Sequence, residues 1–264
     1  MNAQSLVFET HAGVAWLRMN RPDVLNALDP TTANNLLEAL DHCQDSQVRA
    51  VVLTGMGTAF SAGGDMKTAQ AYVENGGKLP DYFQELTTAV HQVILAIMAL
   101  SKPVLAAING VAAGAGLSLA CACDIRLAGR SARFKQGFTS LGLVPMGGWS
   151  MTMPTLIGRE AAQSWLYHDR IIPAEEAQDL GLTSGVVDDN ELEGGARHLA
   201  LGMSTGPPLS YARTKQIMLN AQFNGLQAQM KLEQEHFVAQ TGTSEFAEGL
   251  AAFLEKRTPS YGPL

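Results

Sequence analysis

Hydrophobic and polar residues alternate along the first twenty positions of the chain, and the alternation breaks at His11-Ala12-Gly13. Alternation with a period of two is typical of a half-buried strand, and a break at a glycine favours a turn. The pattern therefore predicts a β-hairpin with strands over Leu6–Thr10 and Val14–Met19.

A period between three and four marks the predicted helices. The clearest one spans Asp81–Leu100, and Lys102-Pro103 blocks its continuation. An earlier helix is predicted to begin at Asp29-Pro30, where Asp29 would cap the first turn and proline fits the first helical position. The apolar stripe of the longer helix consists of Phe83, Leu86, Val90, Val93 and Ile97.

Short apolar runs bounded by turns predict buried strands over Arg49–Thr54, Val104–Ile108 and Asp124–Ala128. A helix over Ala115–Ala122 separates the last two. Strand, turn and helix thus recur, which indicates an α/β fold with repeating β-β-α units. Because the pattern beyond Glu191 is helical, we expect a core over residues 1–195 and a C-terminal helical region over residues 196–264 that packs on the core or on another subunit.

The composition is that of a globular chain. At 264 residues it can bury a full core, and 46% hydrophobic with 16% charged residues excludes a disordered chain. The net charge of −7 argues against a nucleic-acid-binding surface, although helix N-termini and a few basic side chains would suffice for an anionic small ligand. No apolar run reaches the length of a membrane span, so we expect none.

The cysteines and histidines predict neither disulfides nor a metal site. Cys43, Cys121 and Cys123 form no disulfide framework, so we expect buried free thiols in a reducing compartment. The histidines show no metal-ligand spacing. The N-terminus has no targeting pattern and Tyr261-Gly262-Pro263-Leu264 is not a peroxisomal signal, so a cytoplasmic location is expected.

Two glycine-rich turns each follow a predicted strand and lead into a possible helix. The first is Phe60-Ser61-Ala62-Gly63-Gly64-Asp65-Met66, and the second runs from Ile108 to Gly116. Two such turns side by side can point backbone N–H groups at one oxygen, which is how an oxyanion hole is built. Taken singly, each turn is equally explained by tight turning and close helix packing. Neither has the glycine spacing and distant acidic residue of a dinucleotide-dependent oxidoreductase.

Further motifs accompany the two turns in a fixed order. They are Asn20-Arg21-Pro22-Asp23-Val24-Leu25-Asn26-Ala27-Leu28, Lys102-Pro103-Val104-Leu105-Ala106-Ala107, Cys123-Asp124-Ile125, Leu141-Gly142-Leu143-Val144-Pro145 and Phe253-Leu254-Glu255-Lys256-Arg257. Together with the turns, these motifs resemble the crotonase (enoyl-CoA hydratase/isomerase) superfamily over nearly the whole chain.

The resemblance implies a spiral of β-β-α units with a C-terminal helical region, assembled as a homotrimer or hexamer. It implies an acyl-CoA substrate, with no cofactor other than the coenzyme A of that substrate, and neither nucleic acid nor membrane as a partner. The backbone N–H groups of Gly64 and Ala115 would hold the thioester oxygen while an enolate forms.

The resemblance also implies a set of substrate- and CoA-binding residues. Phe253 and Lys256 match a C-terminal pair that can reach the CoA of a neighbouring subunit, and Lys67 matches a position that is often basic near the CoA phosphates. Asp65 is expected to support its loop rather than take part in the chemistry. The full set is Leu25, Ala27, Ala62, Gly63, Asp65, Met66, Lys67, Gly114, Phe138, Met146, Phe253 and Lys256.

The chain departs from the family pattern where acids are expected. The two glutamates of hydratases match Ser118 and Phe138, and the acid of related isomerases matches Met146. None of these side chains can act as a carboxylate in general acid–base catalysis, so a standard two-glutamate hydration is not expected. Ser118 and His91 are the candidate replacements, each with an alternative interpretation as a packing residue.

Two functions remain open from the sequence. The leading one is an acyl-CoA enzyme of the enoyl-CoA hydratase/isomerase type with divergent chemistry, and the alternative is an acyl-CoA-binding homologue with little or no turnover. The polar stretch Lys67–Pro80, which contains Gly76-Gly77, is expected to be disordered or to form a lid.

Overall fold

The structure is a computed structural model that describes residues 5–261. The remaining positions, 1–4 and 262–264, include most of the termini on which the predictions about targeting signals rest, and these predictions therefore lie outside the described residues. The N-terminal hairpin is confirmed, with antiparallel pairing from Leu6–Met19 to His11–Val14.

The strands form two sheets, and from the third strand to the eighth the chain alternates between them. The first sheet has the order β1-β2-β3-β5-β7-β10, and the second has the order β4-β6-β8-β9. Parallel pairing joins β2 to β3, β3 to β5 and β5 to β7 in the first sheet, and β4 to β6 and β6 to β8 in the second. The strands are β1 (Leu6–His11), β2 (Val14–Met19), β3 (Ala50–Gly55), β4 (Ala59–Ser61), β5 (Val104–Ile108), β6 (Val111–Ala113), β7 (Ile125–Gly129), β8 (Arg133–Lys135), β9 (Ile172–Pro173) and β10 (Gly185–Val187).

This alternation is the predicted spiral. Each turn of the spiral adds one strand to each sheet, and a helix then leads the chain back to the first sheet. The helices are α1 (Pro30–His42), α2 (Met66–Glu74), α3 (Leu79–Ala99), α4 (Gly114–Ala122), α5 (Trp149–Ile157), α6 (Arg159–His168), α7 (Ala174–Asp179), α8 (Leu192–Ser204), α9 (Pro208–Phe223), α10 (Leu226–Gln240) and α11 (Ser244–Glu255).

The predicted capping of α1 is confirmed, since the Asp29 carboxylate accepts a hydrogen bond from Thr32 N over 2.7 Å and Pro30 opens the helix. The strand predicted to begin at Asp124 begins one residue later. Asp124 uses its side chain instead, which accepts hydrogen bonds from Val104 N and Lys215 Nζ, each over 2.8 Å.

The main core lies among the sheets and helices α1, α3 and α4, and a second apolar cluster covers the other face of the six-stranded sheet. In that second cluster, Leu192, Ala196 and Ala200 of α8 pack against Trp16 of β2. The predicted division at residue 196 falls inside α8, so the separation of core and C-terminal region stays a prediction. Within residues 5–261, no helix is both long and apolar enough to cross a membrane.

The expectation of disorder after Lys67 is wrong. Residues Met66–Glu74 form α2, because the Asp65 carboxylate caps its first turn through Thr68 N over 3.1 Å and Ala69 is buried against the core. The polar residues face outward from this helix and do not prevent its formation. Gly76, with a φ of +90°, follows the helix, and α3 begins at Leu79, two residues earlier than predicted.

Candidate active site

The two glycine-rich turns lie against each other. Gly63 has a φ of +92°, and a Cβ built on it would lie 2.8 Å from Ala113 O and 3.4 Å from Ala115 N. A side chain at this position would therefore force the turns apart. Glycine is needed both for the left-handed backbone conformation and for this close approach.

The backbone of Gly64 presents its N–H to a pocket. Gly64 forms a parallel bridge with Leu28, in which Leu28 N donates to Gly63 O over 2.7 Å and Asp65 N donates to Leu28 O over 2.8 Å. In this bridge the residues on either side of Gly64 make the hydrogen bonds to Leu28. The N–H of Gly64 itself therefore points away from Leu28. Among residues 5–261 its N–H has no hydrogen-bond acceptor, and Gly64 lines the pocket described below.

Ala115 presents the second N–H. It is the second residue of α4, and the first N–H groups of a helix have no acceptor within the helix. In the described part of the chain the Ala115 N–H has no other acceptor either. Nearly all of α4 is buried, so the partial positive charge at its N-terminus acts in surroundings that screen it weakly.

Gly64 and Ala115 line the same apolar pocket, which has a volume of about 150 Å³. Phe83 and Phe237 form its aromatic side, with ring centroids 5.6 Å apart, and Phe138 meets Phe237 at 6.4 Å. Its lining residues are Ala62, Gly64, Met66, Phe83, Leu86, Thr87, Ala113, Gly114, Ala115, Lys135, Gly137, Phe138, Ser140, Leu141, Leu143, Met146, Phe237 and Phe253.

Lys135, at the end of β8, is the one ionisable side chain among the lining residues of the described chain. Its Nζ lies 3.4 Å from Asp169 Oδ2, and its side chain is partly exposed. Asp169 also accepts a hydrogen bond from Gly137 N over 2.9 Å, which fixes the chain just before Phe138. The pocket therefore has a cation at one edge and no carboxylate or imidazole on its described walls.

Asp65 supports the first turn and does not line the pocket. Its carboxylate pairs with Arg21 at 2.8 Å, and Arg21 also donates to Ala27 O over 2.6 Å. Burial opposes ionisation of Asp65, but hydrogen bonds from Thr68 and the Arg21 charge outweigh it, so the pKa of Asp65 lies below its usual value. This pair ties the first predicted CoA-binding segment to the first glycine-rich turn.

The predicted CoA-binding segment lies partly at the protein surface. Leu25 has a φ of 53° and its side chain is 43% exposed, while its carbonyl accepts from Ala62 N over 2.9 Å. Ala27 is buried beside this segment. Lys67 is exposed in the first turn of α2, next to the lining residue Met66.

The C-terminal helix α11 closes one side of the pocket of its own chain. A Cβ on Gly249 would lie 2.5 Å from the carbonyl of Leu141, so α11 sits directly on the lining segment. Phe253, 57% exposed, reaches the pocket from this helix. The close seating of α11 holds Phe253 beside the chain's own pocket, and its contact with the CoA of a neighbouring subunit stays a prediction. Lys256 follows α11 in a left-handed conformation and is exposed.

His91 and Ser118, the candidate replacements for the missing acids, lie outside the set of lining residues. His91 Nε2 accepts a hydrogen bond from Gly147 N over 3.2 Å, and burial lowers the pKa of His91 to about 4. Ser118 Oγ donates to Met146 O over 3.0 Å. Both side chains thus hold the backbone beside the pocket, and a catalytic role for either stays a prediction.

Sequence reasoning missed a buried carboxylate near these two residues. Glu233 Oε2 accepts from Gly148 N over 2.7 Å, and Oε1 accepts from Ser150 N over 2.9 Å. Burial raises the pKa of Glu233, although these hydrogen bonds oppose the rise. Glu233 is distant in sequence from the segment it contacts, so no local pattern marks it. The same reason explains why Phe237 and Lys135 were missed.

Comparisons with known proteins bear on this site. The family model described as "Enoyl-CoA hydratase/isomerase" matches residues 9–263. The chain is 35% identical to 1,2-epoxyphenylacetyl-CoA isomerase of Escherichia coli K12 over 94% of this chain and 95% of that protein. It is 36% identical to a probable enoyl-CoA hydratase of Rhodobacter capsulatus over 99% of both.

A solved structure gives the same result for the fold. The crystal structure of an enoyl-CoA hydratase from Mycobacterium avium subsp. paratuberculosis K-10 superposes with a TM-score of 0.88 at 30% identity, covering 98% of this chain and 99% of that one. The two glycine-rich turns and the apolar pocket therefore lie within a fold shared over almost the full length.

Proposed function

This chain belongs to the enoyl-CoA hydratase/isomerase family, and we propose that it acts on an acyl-CoA thioester through an enolate held by the N–H groups of Gly64 and Ala115. The observation that carries the proposal is the pair of unpaired N–H groups on one apolar pocket. Two such donors can bind a single carbonyl oxygen, and the pocket beside them fits an acyl group.

The chemistry explains what backbone donors contribute to the first step. The Cα proton passes to water or to a basic atom of the substrate, because the described walls of the pocket carry no carboxylate or imidazole. The electron pair of the Cα–H bond moves to the carbonyl oxygen, which gains a full negative charge. Donors fixed in advance stabilise this charge more than the neutral carbonyl, so they lower the barrier. One such donor contributes about 3 kcal/mol in other enzymes. The N-terminus of α4 adds a favourable dipole at the same oxygen.

The walls of the pocket favour chemistry other than two-glutamate hydration. Phe138 and Met146 occupy lining positions without an ionisable group, and Ser118 is bonded to the Met146 carbonyl. Water addition needs one group to activate water and another to protonate carbon, each contributing about 10²–10⁴ in rate. We therefore propose isomerisation or another enolate reaction in which these positions do not transfer the proton. The chain is as similar to an isomerase as to a hydratase, so this choice rests on the pocket walls.

The alternative is a homologue that binds acyl-CoA with little or no turnover. It is favoured by the same absence of carboxylates on the described walls. The two N–H groups would bind the thioester oxygen, but no base would lie beside Cα.

One experiment on the purified chain separates the candidates. Crotonyl-CoA and 3-enoyl-CoA are followed by absorbance, α-proton exchange is followed by NMR in D₂O, and binding is measured by calorimetry. Isomerisation or exchange without hydration supports the proposal. Tight binding without turnover or exchange supports the alternative. Efficient hydration that survives combined Ser118→Ala and His91→Ala substitution would contradict the account of the missing acids.

The proposal includes assembly and location. The family resemblance favours a homotrimer or hexamer, and self-association is supported because no residue of α9 is fully buried while Leu209, Ile217 and Met218 are exposed on it. A reducing compartment such as the cytoplasm is favoured because Cys43, Cys121 and Cys123 are free and buried. No cofactor besides the CoA of the substrate is part of the proposal.

A further inference from the structure

Three side chains from three helices hold consecutive backbone groups of one segment, Met146–Ser150, which we term the wall segment. Ser118 of α4 donates to Met146 O over 3.0 Å. His91 of α3 accepts from Gly147 N over 3.2 Å. Glu233 of α10 accepts from Gly148 N over 2.7 Å. The wall segment is therefore tied on successive residues to elements that are far apart in sequence.

The wall segment needs such ties because of its composition. Gly147 and Gly148 have φ values of +76° and +74°, and glycine loses the most conformational freedom on ordering. Glu233 adds a second set of bonds at the start of α5, from Ser150 N at 2.9 Å and Ser150 Oγ at 2.5 Å. Its carboxylate thus also satisfies N–H groups that the helix leaves without acceptors.

The same three helices line the pocket. Thr87 and Phe237 line it one helical turn before His91 and one turn after Glu233, respectively, so each pair shares a helix face. Ala115, with its N–H on the pocket, lies one turn before Ser118 on α4. The wall segment itself contributes Met146, which is buried on the pocket. The ties therefore connect Met146 to the helices that carry the aromatic wall and the oxyanion donor.

We propose that Ser118, His91 and Glu233 are positioning residues that hold Met146 as a fixed wall of the pocket, and that this wall limits the acyl group to a compact apolar one of about the size of a phenyl ring. The size follows from the cavity volume of about 150 Å³, since an apolar protein cavity of about 150 Å³ accepts benzene. A long flexible chain would have to displace Met146. This inference rests on the proposed function in one respect, because it takes the pocket as the acyl site.

The test is the acyl preference of binding, which does not depend on turnover. Dissociation constants of butyryl-CoA, phenylacetyl-CoA, octanoyl-CoA and free CoA are measured by calorimetry. We expect the wild-type chain to bind phenylacetyl-CoA and butyryl-CoA more tightly than octanoyl-CoA. Met146→Ala should raise the affinity for octanoyl-CoA relative to phenylacetyl-CoA by about tenfold, as changes of a few methylenes in apolar pockets do.

Variants of the ties test the positioning role. Ser118→Ala, Glu233→Met and His91→Leu, which each remove the tying group, should shift the same affinity ratio in the same direction as Met146→Ala. His91→Gln, which keeps an acceptor for Gly147 N, should restore most of the wild-type ratio. In the Met146→Ala background the tie variants should add little, because residues that act through one group are not additive. Glu235→Gln and His236→Leu are matched controls on the outer face of α10 and should leave the ratio unchanged.

The outcomes separate this inference from the proposed function. If Ser118→Ala and Glu233→Met remain folded by circular dichroism and leave the ratio unchanged, the ties serve stability alone and the positioning role is overturned. The positioning role is also overturned if the tie variants shift the affinity ratio by the same factor in the wild-type and Met146→Ala backgrounds. If the wild-type chain binds no acyl-CoA more tightly than free CoA, the proposed function fails. If His91→Leu does not fold, the variants at Ser118 and Glu233 still test the positioning role.

Discussion

The imidazole of His91 and the backbone amide of Gly147 form a buried hydrogen bond in which the ring nitrogen is the acceptor, at 3.2 Å. An accepting Nε2 requires a neutral ring, and burial favours this state by lowering the pKa of His91 to about 4. Protonation would replace the acceptor with a second donor facing the amide. The ring therefore holds the wall segment only while it is neutral.

Burial of the neutral His91 ring predicts that the free energy of unfolding falls with falling pH. The folded pKa of about 4 lies below the value of about 6.5 expected in the unfolded chain, so the unfolded state binds the proton first. The contribution is fully present above about pH 6.5 and is lost progressively down to about pH 4, amounting to about 3 kcal/mol. Denaturant unfolding at pH 7 and pH 4.5 measures it.

The His91→Gln variant isolates this effect. The variant should lose less unfolding free energy than the wild type over that pH range, whereas His236→Gln, at an exposed position, should behave as the wild type. Glu233 acts in the opposite sense, because its raised pKa means that stability is lost as pH rises above its usual value. Comparison of matched variants removes that contribution. Parallel pH profiles for wild type and His91→Gln would contradict the assignment.

The substitution Ala115→Pro tests the second oxyanion donor. Proline removes the N–H, and the first turn of a helix tolerates it because that N–H has no helical acceptor. We expect the rate of α-proton exchange, or of turnover, to fall by about 10²–10³. Arg159→Pro is a control, since Arg159 likewise lies in the first turn of a helix directly after a glycine with positive φ and does not line the pocket. Equal effects of the two substitutions would argue against the donor role.

The substitution Met146→Asp should introduce a base into the pocket. Met146 is buried on the pocket wall, so the new carboxyl would have a raised pKa and accept a proton from a substrate Cα more readily. We expect α-proton exchange of a bound acyl-CoA to rise by about 10²-fold. The Met146→Asn variant has the same shape without the titratable group and should give no gain.

The three free thiols should be unreactive in the native protein. Burial raises the pKa of Cys43 and Cys123 to about 12 and that of Cys121 to about 11, so the thiolate is scarce at pH 8. A disulfide reagent such as Ellman's should therefore label three thiols after unfolding and almost none before. Fast labelling of the native chain would show that the helices around Cys121 open readily.

The surface of α9 should mediate self-association. Ile217 is 68% exposed and Met218 is 52% exposed, and burying them in a partner would remove apolar surface from water. We expect the wild-type chain to sediment as a trimer or hexamer and Ile217→Lys to shift it toward monomer. Gln216→Lys adds the same charge at the neighbouring exposed position and should not.

Local patterns predicted the elements that depend on local causes. The hairpin follows from alternation and a turn, and α1 follows from the Asp29-Pro30 start. The disorder predicted after Lys67 was wrong because the segment is mostly polar, and its narrow buried face consists of Ala69 alone. One capping carboxylate and one buried methyl group are enough to order a short helix packed on a core, and neither changes the average polarity of the segment.

For the site as well, sequence patterns predicted some residues and missed those that depend on distant contacts. Motif position predicted site roles for Gly64, Ala115, Phe138 and Met146, and these four residues line one pocket. It did not reveal that His91 reaches only the backbone of Gly147. The orientation of a side chain on α3 depends on which segment packs there, and that segment lies more than fifty residues further along the chain. Glu233, Phe237 and Lys135 belong to the same class of distant contacts.

The seating of α11 on Leu141 has a consequence for how the molecule is made. The oxyanion turns are encoded before residue 123, whereas Phe253 arrives only with the final helix. In synthesis both turns therefore precede α11, and a chain shortened to end before Ser244 would keep the two glycine-rich turns and lose the helix that covers one side of their pocket.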